Sequence, residues 1–104
     1  MAAIGGVLSG NISVIGGTTP TITDLPMPLA ATEYTIVYPS GTKTVVAINN
    51  GSDIVEYGYV SGGPYMPLRI GQVMNLSGLT LAGPLTIYFK SASASQNIKS
   101  EHWV

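Results

Sequence analysis

The stretch TEYTIVYPSGTKTVVAINNGSDIVEYGYVSGG, residues 32–63, leaves few folds open to this chain. Apolar and polar side chains alternate through it with a period of two, and tight-turn residues interrupt it twice. The pattern predicts three strands, at residues 32–38, 43–49 and 53–60. Pro39-Ser40-Gly41-Thr42 and Asn50-Gly51-Ser52 lie between them. Asn-Gly between two alternating runs is a hairpin signal, because both residues tolerate positive φ. The expectation is therefore a meander of three consecutive, paired strands. On the first, Tyr34, Ile36 and Tyr38 share a face. The second is apolar on both faces, with Val46 and Ile48 on one and Val45 and Ala47 on the other. Such a strand is covered on both sides, in a sandwich or at a subunit contact. On the third, Gly58 implies a bulge or the close approach of another backbone.

Before this stretch, residues 1–29 read differently. Glycines recur, and residues 11–15 and 21–24 could each be a short extended piece. Leu25-Pro26-Met27-Pro28-Leu29 is a stiff connector, since each proline fixes its own φ and drives the preceding residue out of the helical region. Residues 1–29 are thus either an extended N-terminal arm lying on a neighbour or an edge strand, and residues 30–104 form the domain. The isolated apolar residues of the arm, Ile4, Val7, Leu8, Ile12 and Val14, need a partner surface and are candidate interface residues. The start of the chain lacks a basic segment and is broken by glycines. It therefore reads as neither a signal peptide nor a membrane span, and assembly in a cytoplasm is expected.

After the stretch, residues 61–67 read as a loop with Tyr65 and Met66 at its tip; these either fold back over the open end of the core or are candidate contacts, since Tyr and Met are enriched at interfaces. Short strands are expected at 68–70, 72–76 and 79–81, and a clearer one at 85–90 with Leu85, Ile87 and Phe89 inward. Ser91-Ala92-Ser93-Ala94-Ser95 reads as an exposed, flexible linker. A last strand, 97–104, puts Ile98, Ser100 and His102 on one face and Lys99, Glu101 and Trp103 on the other. Trp103 is the candidate interface anchor, since a buried Trp often dominates binding energy. The sum is an all-β chain: a small antiparallel β-sandwich or jelly roll of about eight short strands.

Composition bears on partners. Charged residues make up 9% of the 104, against about 25% in ordinary domains. So sparse a charge coat implies that much of the surface is buried against other chains, by self-association or in a larger assembly. Lys43, Arg69, Lys90 and Lys99 are scattered, which argues against nucleic acid as a partner. There is no cysteine. The lone histidine, His102, points away from its neighbour Glu101 on a strand, so the two do not converge on a metal, and it reads as a surface or interface residue. Asp53 reads as a turn cap; Ca²⁺ held by Asn49, Asn50 and Asp53 is a weaker alternative. No nucleophile–base arrangement or phosphate loop is present. The expectation is a non-enzymatic protein without cofactor or metal. Tyr57 and Tyr59, with Tyr34 and Tyr38 across from them, are either cross-strand core pairs or a carbohydrate-stacking platform.

The segments VVAINNGSDIVEYGYVSGG, PLRIGQVMNLSG and PLTIYFKSASASQNIKSEHWV, preceded by an arm, resemble small β-sandwich structural proteins of tailed bacteriophages. The resemblance covers residues 32–104. It implies a virion component, foremost a capsid decoration (cement) protein that sits as a homotrimer on the major capsid protein shell. A tail, neck or head-fibre component is the alternative, as is a carbohydrate-binding β-sandwich module. No membrane partner is implied.

Overall fold

A computed structural model describes residues 19–104. The described residues form eight strands: β1 (Thr21–Met27), β2 (Tyr34–Tyr38), β3 (Thr44–Asn49), β4 (Val55–Gly58), β5 (Met66–Leu68), β6 (Val73–Leu76), β7 (Leu85–Lys90) and β8 (Gln96–Trp103). They make two four-stranded antiparallel sheets, ordered β1-β8-β3-β6 and β2-β7-β4-β5. This is a jelly-roll sandwich, in which the chain passes from one sheet to the other at nearly every connection.

The alternation read from the sequence sets which side chains face inward. Met27, Val45, Ala47, Met74 and Ile98 come from the first sheet, and Ile36, Tyr38, Val55, Leu68, Ile87 and Phe89 from the second. All are buried between the sheets. Ser100 and Tyr38 form a polar link in this core. The Ser100 hydroxyl donates its one proton to the Val46 carbonyl at 2.9 Å, so the Tyr38 hydroxyl must donate to Ser100 Oγ, at 2.6 Å. Burial pushes the Tyr38 phenol pKa up. Tyr38→Phe leaves Ser100 without that donor and should lower stability by about 1 kcal/mol, measured by urea unfolding.

The expected meander is not what forms. β2 pairs with β7, β3 with β8 and β6, and β4 with β7 and β5, so the three consecutive strands never pair with one another. The two turns are crossings between sheets. In the first, Gly41 N donates to the Leu81 carbonyl, Lys43 N to the Trp103 carbonyl and Leu79 N to the Lys43 carbonyl. The segment is thus tied to strands other than its own neighbours. In the second, two buried side chains replace the hairpin ladder. Asn49 Oδ1 accepts from Gly51 N at 2.9 Å, and its Nδ2 donates to the Asp53 and Leu68 carbonyls, each at 2.8 Å. Gln96 Oε1 accepts from Ser52 N at 2.8 Å and Asp53 N at 2.9 Å. Gly51 leaves room for this acceptor: a Cβ there would run into Gln96 Oε1, and the Gln96 side chain would have to leave the Ser52 and Asp53 N–H groups.

Other expectations also change. Residues 79–81 form no strand; Leu79 and Leu81 pack from a loop onto the core. Residues 91–95 are a pinned crossing rather than a flexible linker. Ser91 is buried and donates to the Ile54 carbonyl at 2.8 Å, and its own carbonyl accepts from Ala31 N at 2.7 Å. The proline-rich stretch up to Met27 is not merely a connector, since Thr21–Met27 pairs along β8 from His102 to Gln96. Gly58 does mark a close approach: a Cβ there would lie 2.5 Å from the Pro64 carbonyl oxygen.

Candidate interaction surface

The outward residues of the first sheet lie in two cross-strand rows. Ile22, Glu101, Val46 and Asn75 form one; Asp24, Lys99, Ile48 and Val73 form the other. Ile22, Val46, Ile48 and Val73 line a shallow groove of about 370 Å³, together with Lys99, Ser100 and Glu101 of β8. Ile22 is 68% exposed and Val73 50%. Trp103 extends the same face one row beyond Glu101, opposite Thr44 and half-buried. Lys99 Nζ lies 3.3 Å from Asp24 Oδ1, a solvated pair that adds little to stability.

The second sheet carries a different feature. Glu33, just before β2, accepts from Ser61 Oγ at 2.6 Å, from Gly62 N at 2.9 Å, and from the Tyr65 hydroxyl. This carboxylate ties the β4–β5 loop to the sheet. Lys90 Nζ sits 5.7 Å from the centroid of the Tyr65 ring. Tyr65 is thereby half-buried, not a projecting tip, while Met66 begins β5 and is 60% exposed. The sequence-derived interface residues therefore divide. Trp103 lies on one sheet and Tyr65 and Met66 on the other; Ile4, Val7, Leu8, Ile12 and Val14 lie outside the described residues.

The remaining candidates resolve into structural roles. His102 is not a surface residue: it is 7% exposed, and its ring meets Tyr38 edge-on at 5.5 Å. Its Nδ1 is buried without a hydrogen-bond partner. Among the described residues no group of three His, Cys, Asp or Glu comes together as a metal site. Asn49 spends its amide on backbone groups, and Asp53 accepts from Ile54 N at 2.7 Å and from the Ser93 hydroxyl. The four tyrosines make no flat platform. The rings of Tyr57 and Tyr59 are 6.2 Å apart at 89°, Tyr57 packs on the core, and Tyr38 is fully buried.

The chain is similar to a designed double-stranded β-helix. That protein, known from a solution NMR structure of a de novo design, matches with a TM-score of 0.50 and 25% sequence identity, covering 82% of this chain and 96% of the other. The double-stranded β-helix likeness agrees with the sheet-to-sheet crossings described above. No protein-family model matches the chain, and no curated protein does.

Three surface carboxylates are held below the ordinary range by donors. For Asp24 the cause is first the Asn97 amide and then Lys99. For Glu33 it is first the Gly62 N–H and then the Ser61 and Tyr65 hydroxyls. For Asp53 it is first the Ser93 hydroxyl and then the Ile54 N–H. A carboxylate whose folded pKa is depressed contributes its stability in full above its unfolded pKa of about 4 and loses it as pH falls through the folded value. The urea midpoint should therefore hold from pH 7 to about 5 and drop below about 4. Glu33→Gln, which cannot ionise, should show a shallower drop over the same range.

Proposed function

We propose that this protein is a non-enzymatic virion structural protein, and specifically a capsid decoration protein that binds the assembled head of a tailed bacteriophage. The observation that carries the reading is the outward display of large apolar side chains, Ile22, Val37, Val60, Met66, Ile70 and Val73 among them, by a chain with only 9% charged residues. Such a surface suits a subunit that is covered in use. The jelly roll supports it by analogy only, since viral capsid domains, lectins and cupins all use that architecture. The resemblance of residues 32–104 to phage sandwich proteins supplies the head as the site, the major capsid protein as partner and the homotrimer as the arrangement.

The mechanism is physical. A protein that binds the closed shell and not its free subunits stabilises the shell by mass action. Each trimer touching several capsid subunits gains through effective concentration rather than through any single strong contact. No metal or cofactor takes part.

The test is sedimentation of the purified chain with empty heads, and separately with tails, of the phage that encodes it. Saturable binding to heads and a rise in the head's melting temperature are expected. Binding to tails alone would move the protein to the tail, and binding to neither would overturn the virion reading. Truncation must stop before Thr21, because β1 is hydrogen-bonded along β8. Deleting residues 1–18 should leave the melting temperature of the domain unchanged and weaken head binding at least about tenfold, as the loss of several apolar contacts implies.

A further inference from the structure

The Asn50-Gly51 pair forms no hairpin, but it carries a chemistry of its own. Of the chain's asparagines only Asn50 precedes a glycine. Glycine has no Cβ to hinder the approach of a neighbouring group to its nitrogen, so this is where the chain most readily attacks itself. The Gly51 nitrogen, once it has lost its proton, adds to Asn50 Cγ. The new N–Cγ bond closes a succinimide ring, the Cγ–Nδ2 bond breaks, and the departing nitrogen takes up a proton and leaves as ammonia. Water then opens the ring at either carbonyl, giving an aspartyl or a β-aspartyl residue at position 50. Nothing is oxidised or reduced, and solvent water is the only co-reactant.

We propose that Asn50 is a deamidation site held shut by Asn49, and that local opening of the crossing at residues 50–54 sets its rate. Asn50 is exposed, so the carbon to be attacked is accessible. The nucleophile is not. Gly51 N donates to Asn49 Oδ1 at 2.9 Å, which keeps the proton on that nitrogen and fixes its direction. Asn49 cannot follow a moving loop, because it is fully buried and its Nδ2 is tied to the Asp53 and Leu68 carbonyls. The flanking N–H groups are held as well. Asn50 N donates to the Asn97 carbonyl at 3.0 Å, Ser52 N and Asp53 N to Gln96 Oε1, and Ile54 N to Asp53 Oδ1 at 2.7 Å. Closing the ring turns the Asn50–Gly51 peptide plane, which these bonds resist.

The crossing lies between the end of β3 at Asn49 and the start of β4 at Val55. It can therefore open while both sheets stay closed. The product adds a negative charge to a crossing that already carries Asp53, and the β-linked form lengthens the backbone by one carbon. The inference does not rest on the virion reading.

The experiment holds the full chain at mildly alkaline pH, folded or in guanidinium chloride, and samples it over time. Tryptic cleavage after Lys43 and Arg69 frees residues 44–69, and mass spectrometry reads the replacement of –NH2 by –OH at position 50. Deamidation should be at least about tenfold slower in the folded chain. Amide hydrogen exchange at Gly51, followed by NMR in the same buffers, also needs that N–H freed from Asn49. Folding should therefore slow deamidation at least as much as it slows this exchange. Two variants, each checked for folding by thermal unfolding, separate local from global opening. Asn49→Leu removes the acceptor and should deamidate at least about tenfold faster than wild type. Phe89→Ala weakens the core but leaves the bonds of the crossing in place, and should stay within about twofold of wild type. Equal rates in folded and denatured wild type, or a Gly51 N–H that exchanges as fast folded as denatured, would overturn the proposal. So would a slowing of deamidation smaller than that of exchange, a folded Asn49→Leu chain no faster than wild type, or equal acceleration by both variants. Should Asn49→Leu not fold, the wild-type comparison of deamidation with exchange decides alone.

Discussion

Replacing Asn49 with leucine is expected to cost about 3–5 kcal/mol, read as a fall in the urea midpoint. The two side chains share the same branching, so most of the loss is polar, with a smaller steric part from the bulkier methyl groups. Asn49 is fully buried and serves three backbone groups at once: the Gly51 N–H and the Asp53 and Leu68 carbonyls. Each buried group left without a partner costs about 1–3 kcal/mol, and the crossing at residues 50–54 moves enough to recover part of that through water. Gln96 holds the neighbouring N–H groups of Ser52 and Asp53. The double change Asn49→Leu with Gln96→Leu should therefore cost less than the sum of the two single changes, because once the crossing is loose the second pin has less to hold. Strict additivity would show that the two side chains act on separate structures.

Phe89→Ala is the second large effect, about 3–5 kcal/mol in the same measurement. Phe89 is fully buried on β7, the strand that joins β2 to β4, and it lies between Tyr34 and Tyr57 in register. Both tyrosines are only partly buried, so neither can close over the space left behind without uncovering its own ring. A loss under about 1.5 kcal/mol, typical of a volume-conserving change, would mean that the sandwich collapses around the gap.

Strand existence and facing were legible because period two is a local property. Ile36, Tyr38, Val45, Ala47, Ile87, Phe89 and Ile98 all point where alternation puts them. Pairing was not legible, because the same alternation serves a hairpin or a crossing. Asn50-Gly51 has the residues of a tight turn, yet the Asn49 and Gln96 side chains satisfy that backbone in an open conformation. Gln96 is more than forty residues downstream, so a local window does not contain it. The burial of Ser91 and His102 was hidden for the same reason: their covers come from Ile54 and Tyr38, distant in the chain. The exposed apolar face of the first sheet was half legible. Val46 and Ile48 stood out as a second apolar face on one strand. Ile22 and Val73 did not, since only the register of β1 with β8 and of β3 with β6 brings them alongside.

The strand order has a kinetic consequence. Among the described strands only β4 and β5 are neighbours both in the chain and in a sheet. The first described strand waits for the last, since Thr21 must find His102 before their ladder can zip. Little is gained until distant parts of the chain have met, so such a topology should fold in milliseconds to seconds rather than microseconds. Until β8 arrives, β1 and β3 each show an open edge, and crowded nascent chains could join there wrongly. The chain would then depend on finishing its own sandwich before it meets other unfinished copies of itself.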